Sequence, residues 1–160
     1  MSSSDLAINA GAASIWAGMT FGVKNKAVVG PAFLSGWGAI AYGASKGKRK
    51  LGWIGNVGMG GVVLGGVLAR APMDRGAPAS VGKKGKALFL AGWTALASGV
   101  AQKNGGSRQN YASALLGAGT VVAGATLIRK NALGGGKLPA VLPPAVFGLG
   151  WYLFTRELLK

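Results

Sequence analysis

Charged side chains along this chain follow neither the helical nor the strand period. They gather into short clusters that leave six uncharged stretches, residues 6–23, 27–45, 51–69, 87–102, 109–128 and 138–155. Each stretch is 16 to 20 residues long. A helix rising about 1.5 Å per residue needs roughly 20 residues to cross the hydrocarbon core of a bilayer. The pattern therefore predicts an all-α polytopic membrane protein with about six short transmembrane helices in a single membrane domain, residues 1–160. A soluble helical bundle would need a charged outer face on each helix, and none of the six stretches carries one. Because Gly and Ala partition only weakly into lipid, some segments, above all the short one from Ala87, are expected to insert with help from their neighbours.

Superposing the stretches reveals two alternating types. In the first, third and fifth, Gly11, Ser14 and Gly18 match Gly58, Gly61 and Gly65, then Gly117, Thr120 and Gly124. Spacing of i, i+3, i+7 puts these small residues on one helix face, where a neighbouring backbone can come close. The second, fourth and sixth stretches carry Phe-x-x-Gly-Trp: Phe33, Gly36 and Trp37; Phe89, Gly92 and Trp93; Phe147, Gly150 and Trp151. The joint recurrence of Phe, Gly and Trp marks a threefold repeat of helical hairpins, residues 6–45, 51–102 and 109–155. Small residues continue in the first two copies, through Ala39 and Gly43 and through Ala95 and Gly99. The third has Leu153 and Glu157 there, which predicts a helix end at the surface.

The links within hairpins are residues 24–26, 70–86 and 129–137, and those between hairpins are 46–50 and 103–108. The link 70–86, with Pro72, Gly76, Pro78 and Gly82, reads as a long, turn-rich loop and as the best candidate for a partner-binding segment. The start Met-Ser-Ser-Ser-Asp lacks a basic n-region and does not read as a targeting peptide.

Charge sharpens this picture. Eighteen basic against three acidic residues give +15, with no His to make the charge vary near neutral pH. Basic residues occur at both ends of the predicted bundle, ten beside Asp74 on the side of the within-hairpin links and eight beside Asp5 and Glu157 on the other. Such clusters suit anionic headgroups, at about 1 kcal/mol per Lys or Arg near an anionic surface. Lys46, Lys48, Arg49, Lys50, Lys83, Lys84 and Lys86 are the expected docking loops for membrane lipids and for acidic protein subunits of a larger assembly. Nucleic acid is the weaker candidate partner.

Candidate chemistry is sparse. The carboxylates Asp5, Asp74 and Glu157 all lie outside the uncharged stretches, and there is no His or Cys. Paired acid–base groups, Ser–His or Cys–His nucleophiles and nitrogen or thiolate metal ligands are therefore missing, so no enzyme activity, metal or cofactor is expected. The Gly-rich basic runs at 43–48 and 76–83 lack phosphate-loop spacing. Asn9 and Asn56 share one repeat position, with Leu115 in the third copy. They are expected to be buried and to pair across helices, and together with Thr94 and Ser98 they would line a cavity if one existed.

The basic, Pro-containing lead-in Gly136-Lys137-Leu138-Pro139-Ala140 before the last apolar stretch, and the Gly-rich helix, basic turn and second Gly-rich helix of each hairpin, resemble the small transmembrane-14 and fatty-acid-export type of membrane proteins. The resemblance implies an organelle membrane and movement of fatty acids or another hydrophobic molecule. The residues themselves point first to a noncatalytic structural membrane subunit, in an organelle membrane complex or the internal membrane of a large virus. A lipid, fatty-acid or small-solute conduit is the alternative.

Overall fold

The computed structural model describes residues 2–47 and 49–160. They form six α-helices: α1 (Ser3–Gly22), α2 (Lys26–Lys46), α3 (Trp53–Arg75), α4 (Ala79–Lys103), α5 (Arg108–Leu133) and α6 (Leu142–Leu159), with no strand among the described residues. Local chemistry sets several of their ends. At the start of α1, Ser2 Oγ accepts from the Asp5 amide at 3.2 Å while the Asp5 carboxylate accepts from the Ser2 amide at 2.8 Å, a reciprocal capping box. Asn25 and Ser107 cap α2 and α5 with their side-chain oxygens.

The long loop expected at 70–86 is not there. α3 continues through Arg75 and α4 begins at Ala79. Gly76 ends α3 in the left-handed region at φ 66°, and the Ala77 amide returns to the Ala71 carbonyl. Charge marks where a chain leaves an apolar environment, but helical hydrogen bonding passes through charged residues without penalty. Lys83, Lys84 and Lys86 therefore stand on the first turns of α4 and not in a loop.

α2, α3 and α5 are each long and apolar enough to cross a membrane. The remaining three fall short when taken singly. α4 carries three lysines near its start, α6 has 18 residues that include Arg156 and Glu157, and α1 is diluted by Ser, Asn and Gly. Six crossings are thus not a property of the helices taken one at a time.

The helices pack as three antiparallel pairs, α1–α2, α3–α4 and α5–α6. Further contacts join α4 to α5, α6 to α1 and, most thinly, α2 to α3. The result is a closed ring of six helices with threefold pseudosymmetry. Within each pair the contact is glycine against backbone, except at Gly18, which meets the Ala32 side chain. A Cβ added at Gly11, Gly18, Gly36, Gly58, Gly65, Gly92, Gly117, Gly124 or Gly150 would come within 3.0 Å of the partner helix of its own hairpin. This close approach brings the two backbones of each pair into dispersion contact along their shared face. The α6–α1 joint is closed by Trp16, whose indole N–H donates to the Pro144 carbonyl at 3.0 Å and whose ring lies against Gly148.

Candidate functional site

Helical spacing of i, i+4 stacks Phe over Trp on one face of α2, α4 and α6. The three copies repeat that geometry closely, with ring centroids 6.4 Å apart for Phe33–Trp37, 6.3 Å for Phe89–Trp93 and 6.2 Å for Phe147–Trp151. All three tryptophans point to the axis of the ring and meet there, with centroids 5.5 Å (Trp37–Trp93), 5.7 Å (Trp37–Trp151) and 5.8 Å (Trp93–Trp151) apart. Their tilted and edge-to-face arrangement is the favoured geometry for aromatic rings. None of the three indole N–H groups has a hydrogen-bond partner. Each such unmade bond in a dry interior costs about 1–3 kcal/mol.

Beneath the tryptophans, toward the links between hairpins, comes a second layer in the same repeat register: Ile40, Leu96 and Phe154, all fully buried. Phe154 also packs edge-on to Trp93 at 5.1 Å. Below it Ala44, Val100 and Leu158 make a third buried layer. The axis is solid from the tryptophans to this end.

On the other side of the tryptophans the interior opens. A chamber of about 680 Å³ is bordered by the Phe and Trp of all three repeats and by apolar wall residues such as Met19, Val67, Val122 and Ala125. At its mouth, on the side of the within-hairpin links, stand Arg70, Arg75, Lys86, Arg129 and Lys130, with Asp74 as the lone carboxylate. Asp74 is already taken: Arg70 holds it through two hydrogen bonds of 2.9 and 3.1 Å, and also donates to the Val23 carbonyl on the first hairpin. Arg75, Lys86, Arg129 and Lys130 have no hydrogen-bonded partner among the described residues. Arg70 and Arg129 occupy equivalent repeat positions, with Val23 as the third. Extending the repeat by one turn would have brought these rim residues out of the sequence, which singled out only Lys86.

The expected polar lining lies elsewhere. Asn56 is exposed on the outer face of the first turn of α3, where its amide takes up the Leu51 carbonyl at 3.3 Å, so it makes no bond to another helix. Asn9 is half-buried and borders a separate groove between α1 and α6 with Trp16, Gly148 and Thr155. Thr94 and Ser98 hydrogen-bond to carbonyls one turn back on α4 and stay out of the chamber. A hydroxyl or amide near its own helix backbone satisfies itself locally before it can reach a neighbour.

At the opposite end of the bundle the end of α6 is only partly on the surface: Arg156 and Lys160 are exposed, but the residues between them are not. Glu157 is 1% exposed, with Lys160 Nζ 2.8 Å from its carboxylate and Arg156 at 3.6 Å. The last turn of α6 is tied under the end of α4, where Lys103 donates to the Leu158 carbonyl and Asn104 to the Glu157 carbonyl. Nearby, Lys46 lies over the Tyr42 ring at 5.9 Å, and Arg49 and Lys50 are exposed in the link to α3. Lys48, the remaining expected docking residue, lies outside the described residues.

Comparison with protein-family models, curated proteins and solved structures finds no match for this chain.

Proposed function

We propose that this chain is a noncatalytic structural subunit of a membrane, in which all six helices cross together as one ring and the basic ends dock anionic headgroups or acidic partner proteins. The surface of the ring supports a shared crossing. Leu6, Val57, Leu64, Leu116, Leu149 and Tyr152, on α1, α3, α5 and α6, are exposed where a soluble bundle would place charge. Helices too polar to insert alone insert when their small-residue faces are covered by neighbours, as those of α1, α4 and α6 are here. Trp53, Tyr42 and Phe21, exposed near helix ends, suit the interfacial aromatic belts.

The solid axis is the observation that favours a scaffold over a conduit. Three tryptophans and two further buried layers fill the ring axis beyond the chamber, whose lining stops at the tryptophans. The assemblies that suit such a part are an organelle membrane complex and the internal membrane of a large virus, in which lipid lies between protein layers. Extraction in mild detergent, followed by identification of the chains that copurify, should return a defined assembly. Recovery as a lone chain with saturable solute flux in proteoliposomes would overturn the proposal.

A further inference from the structure

We infer that the chamber is a binding site for one acyl chain of an anionic membrane lipid, with the tail against the tryptophans and the phosphate at the rim. The inference rests on the membrane reading above and gives the ring a specific lipid partner. At about 680 Å³ the chamber falls within the range of sites that enclose a single small molecule. Its walls are aliphatic and aromatic, and its floor is closed by Trp37, Trp93 and Trp151. Over this apolar space stand four cations without a hydrogen-bonded or ion-paired partner among the described residues, Arg75, Lys86, Arg129 and Lys130, while the single nearby carboxylate is neutralised by Arg70.

The two halves of the site select the ligand between them. A soluble polyanion would satisfy the rim and leave the aromatic chamber wet. An uncharged hydrocarbon would fill the chamber and leave four cations facing one another. An anion with an apolar tail satisfies both. A lipid of the surrounding leaflet is the source that the architecture favours. Leu34 and Leu90 border the chamber and remain about half exposed, so the wall beside them is not closed by protein. The α2–α3 joint, the thinnest of the ring, lies beside Leu34. There the Phe33 ring crosses to rest on Gly66, and it is the side chain that would move to admit a chain.

The tryptophans supply the assay. In a Trp16→Phe, Trp53→Phe background only the axial three fluoresce, and bromine on a lipid tail quenches an indole only at contact. The protein, reconstituted in phosphatidylcholine, would be titrated with phosphatidylglycerol brominated along its chains and, in parallel, with equally brominated phosphatidylcholine. The expected result is saturable quenching by the anionic lipid, at an apparent affinity at least about tenfold above the zwitterionic one, as several uncommitted cations imply. The preference should shrink severalfold in Arg129→Gln, Lys130→Gln, which leaves Arg75 and Lys86 in place, and quenching by the anionic lipid should be lost in Ala125→Phe, which fills the chamber. Equal quenching by the two lipids, or a preference undiminished in both variants, would overturn the inference. A protein that keeps Trp53 and lacks the other four tryptophans separates this failure from failure of the membrane reading. Trp53 is 75% exposed, and either brominated lipid should quench it if the ring is in a bilayer.

Discussion

Gly58→Ala and Gly60→Ala make the same chemical change two residues apart on α3, yet they should act in opposite directions. A Cβ at Gly58 would meet α4 backbone on every side: the Leu96 nitrogen, the Ala95 carbonyl carbon at 2.7 Å and the Gly92 oxygen at 2.8 Å. None of these is a side chain that can rotate away. Ordinary contact begins at 3.4 Å, so α3 and α4 must part by more than half an ångström along a joint that is otherwise in contact over most of its length. Overpacking of this kind costs about 1–3 kcal/mol. The better helix propensity of Ala returns at most about 1 kcal/mol. Gly60 has nothing within 4 Å of its would-be Cβ, so only the propensity gain remains. Equilibrium unfolding of the purified protein in mixed micelles, followed by circular dichroism, should place Gly58→Ala below the parent and Gly60→Ala level with or slightly above it. Equal stability of the two variants would refute the close glycine-to-backbone contact described within the hairpins.

Replacement of Trp93 by Phe removes buried ring area but also an unpartnered N–H, so the same unfolding measurement should find it within about 1.5 kcal/mol of the parent, whereas Trp93→Ala should cost about 3–5 kcal/mol. Asp5, outside the apolar stretch of α1, has its carboxyl held below the ordinary 3.8, first by the Ser2 backbone hydrogen bond and then by the Ser2 side chain. A depressed folded value means that its contribution is present above pH 3.8 and is lost as pH falls through the lower folded value. Protection of the first-turn amides of α1 against exchange, taken relative to the intrinsic rate at each pH, should therefore fall on acidification through that window in the parent and stay constant in Asp5→Asn. Charge reversal at Lys46, Arg49 and Lys50 should weaken association with acidic partners or anionic vesicles at moderate salt while insertion is unchanged, because exposed charge contacts are screened and helix packing is not. Vesicle flotation across a salt series reads both effects.

The uncharged stretches located the six helices, and the recurrence of Gly11, Gly58 and Gly117 and of Phe33–Trp37 and its copies marked faces that the structure places against neighbouring helices. Spacing says that such faces exist but not what they meet. The glycines serve contacts inside a hairpin, whereas Trp37, Trp93 and Trp151 meet between hairpins, and only closure of the ring brings residues more than fifty positions apart to one axis. Helix ends were least legible around residues 70–86, where Pro and Gly suggested a loop. Pro72 is accommodated within α3, and Gly76 ends it only six residues before the next buried glycine contact, Gly82 against Pro72. Polarity misled at both ends of the burial scale: Asn56 sits outside because its own helix start satisfies it, and Glu157 sits inside because Lys160 and Arg156 cover its charge.

The absence of Cys from the chain permits a direct test of the proposal that all six helices cross the membrane. Lys24→Cys, Lys50→Cys, Ala79→Cys, Ser107→Cys and Ala140→Cys place one thiol at or beside each of the five links, and Ser3→Cys and Lys160→Cys place one at each end of the chain, all at exposed positions. In sealed vesicles of uniform orientation, a membrane-impermeant maleimide should label positions 24, 79 and 140 from one side and 3, 50, 107 and 160 from the other. Labelling of any two successive positions from the same side would show that the helix between them does not cross, and would contradict the six-helix transmembrane ring.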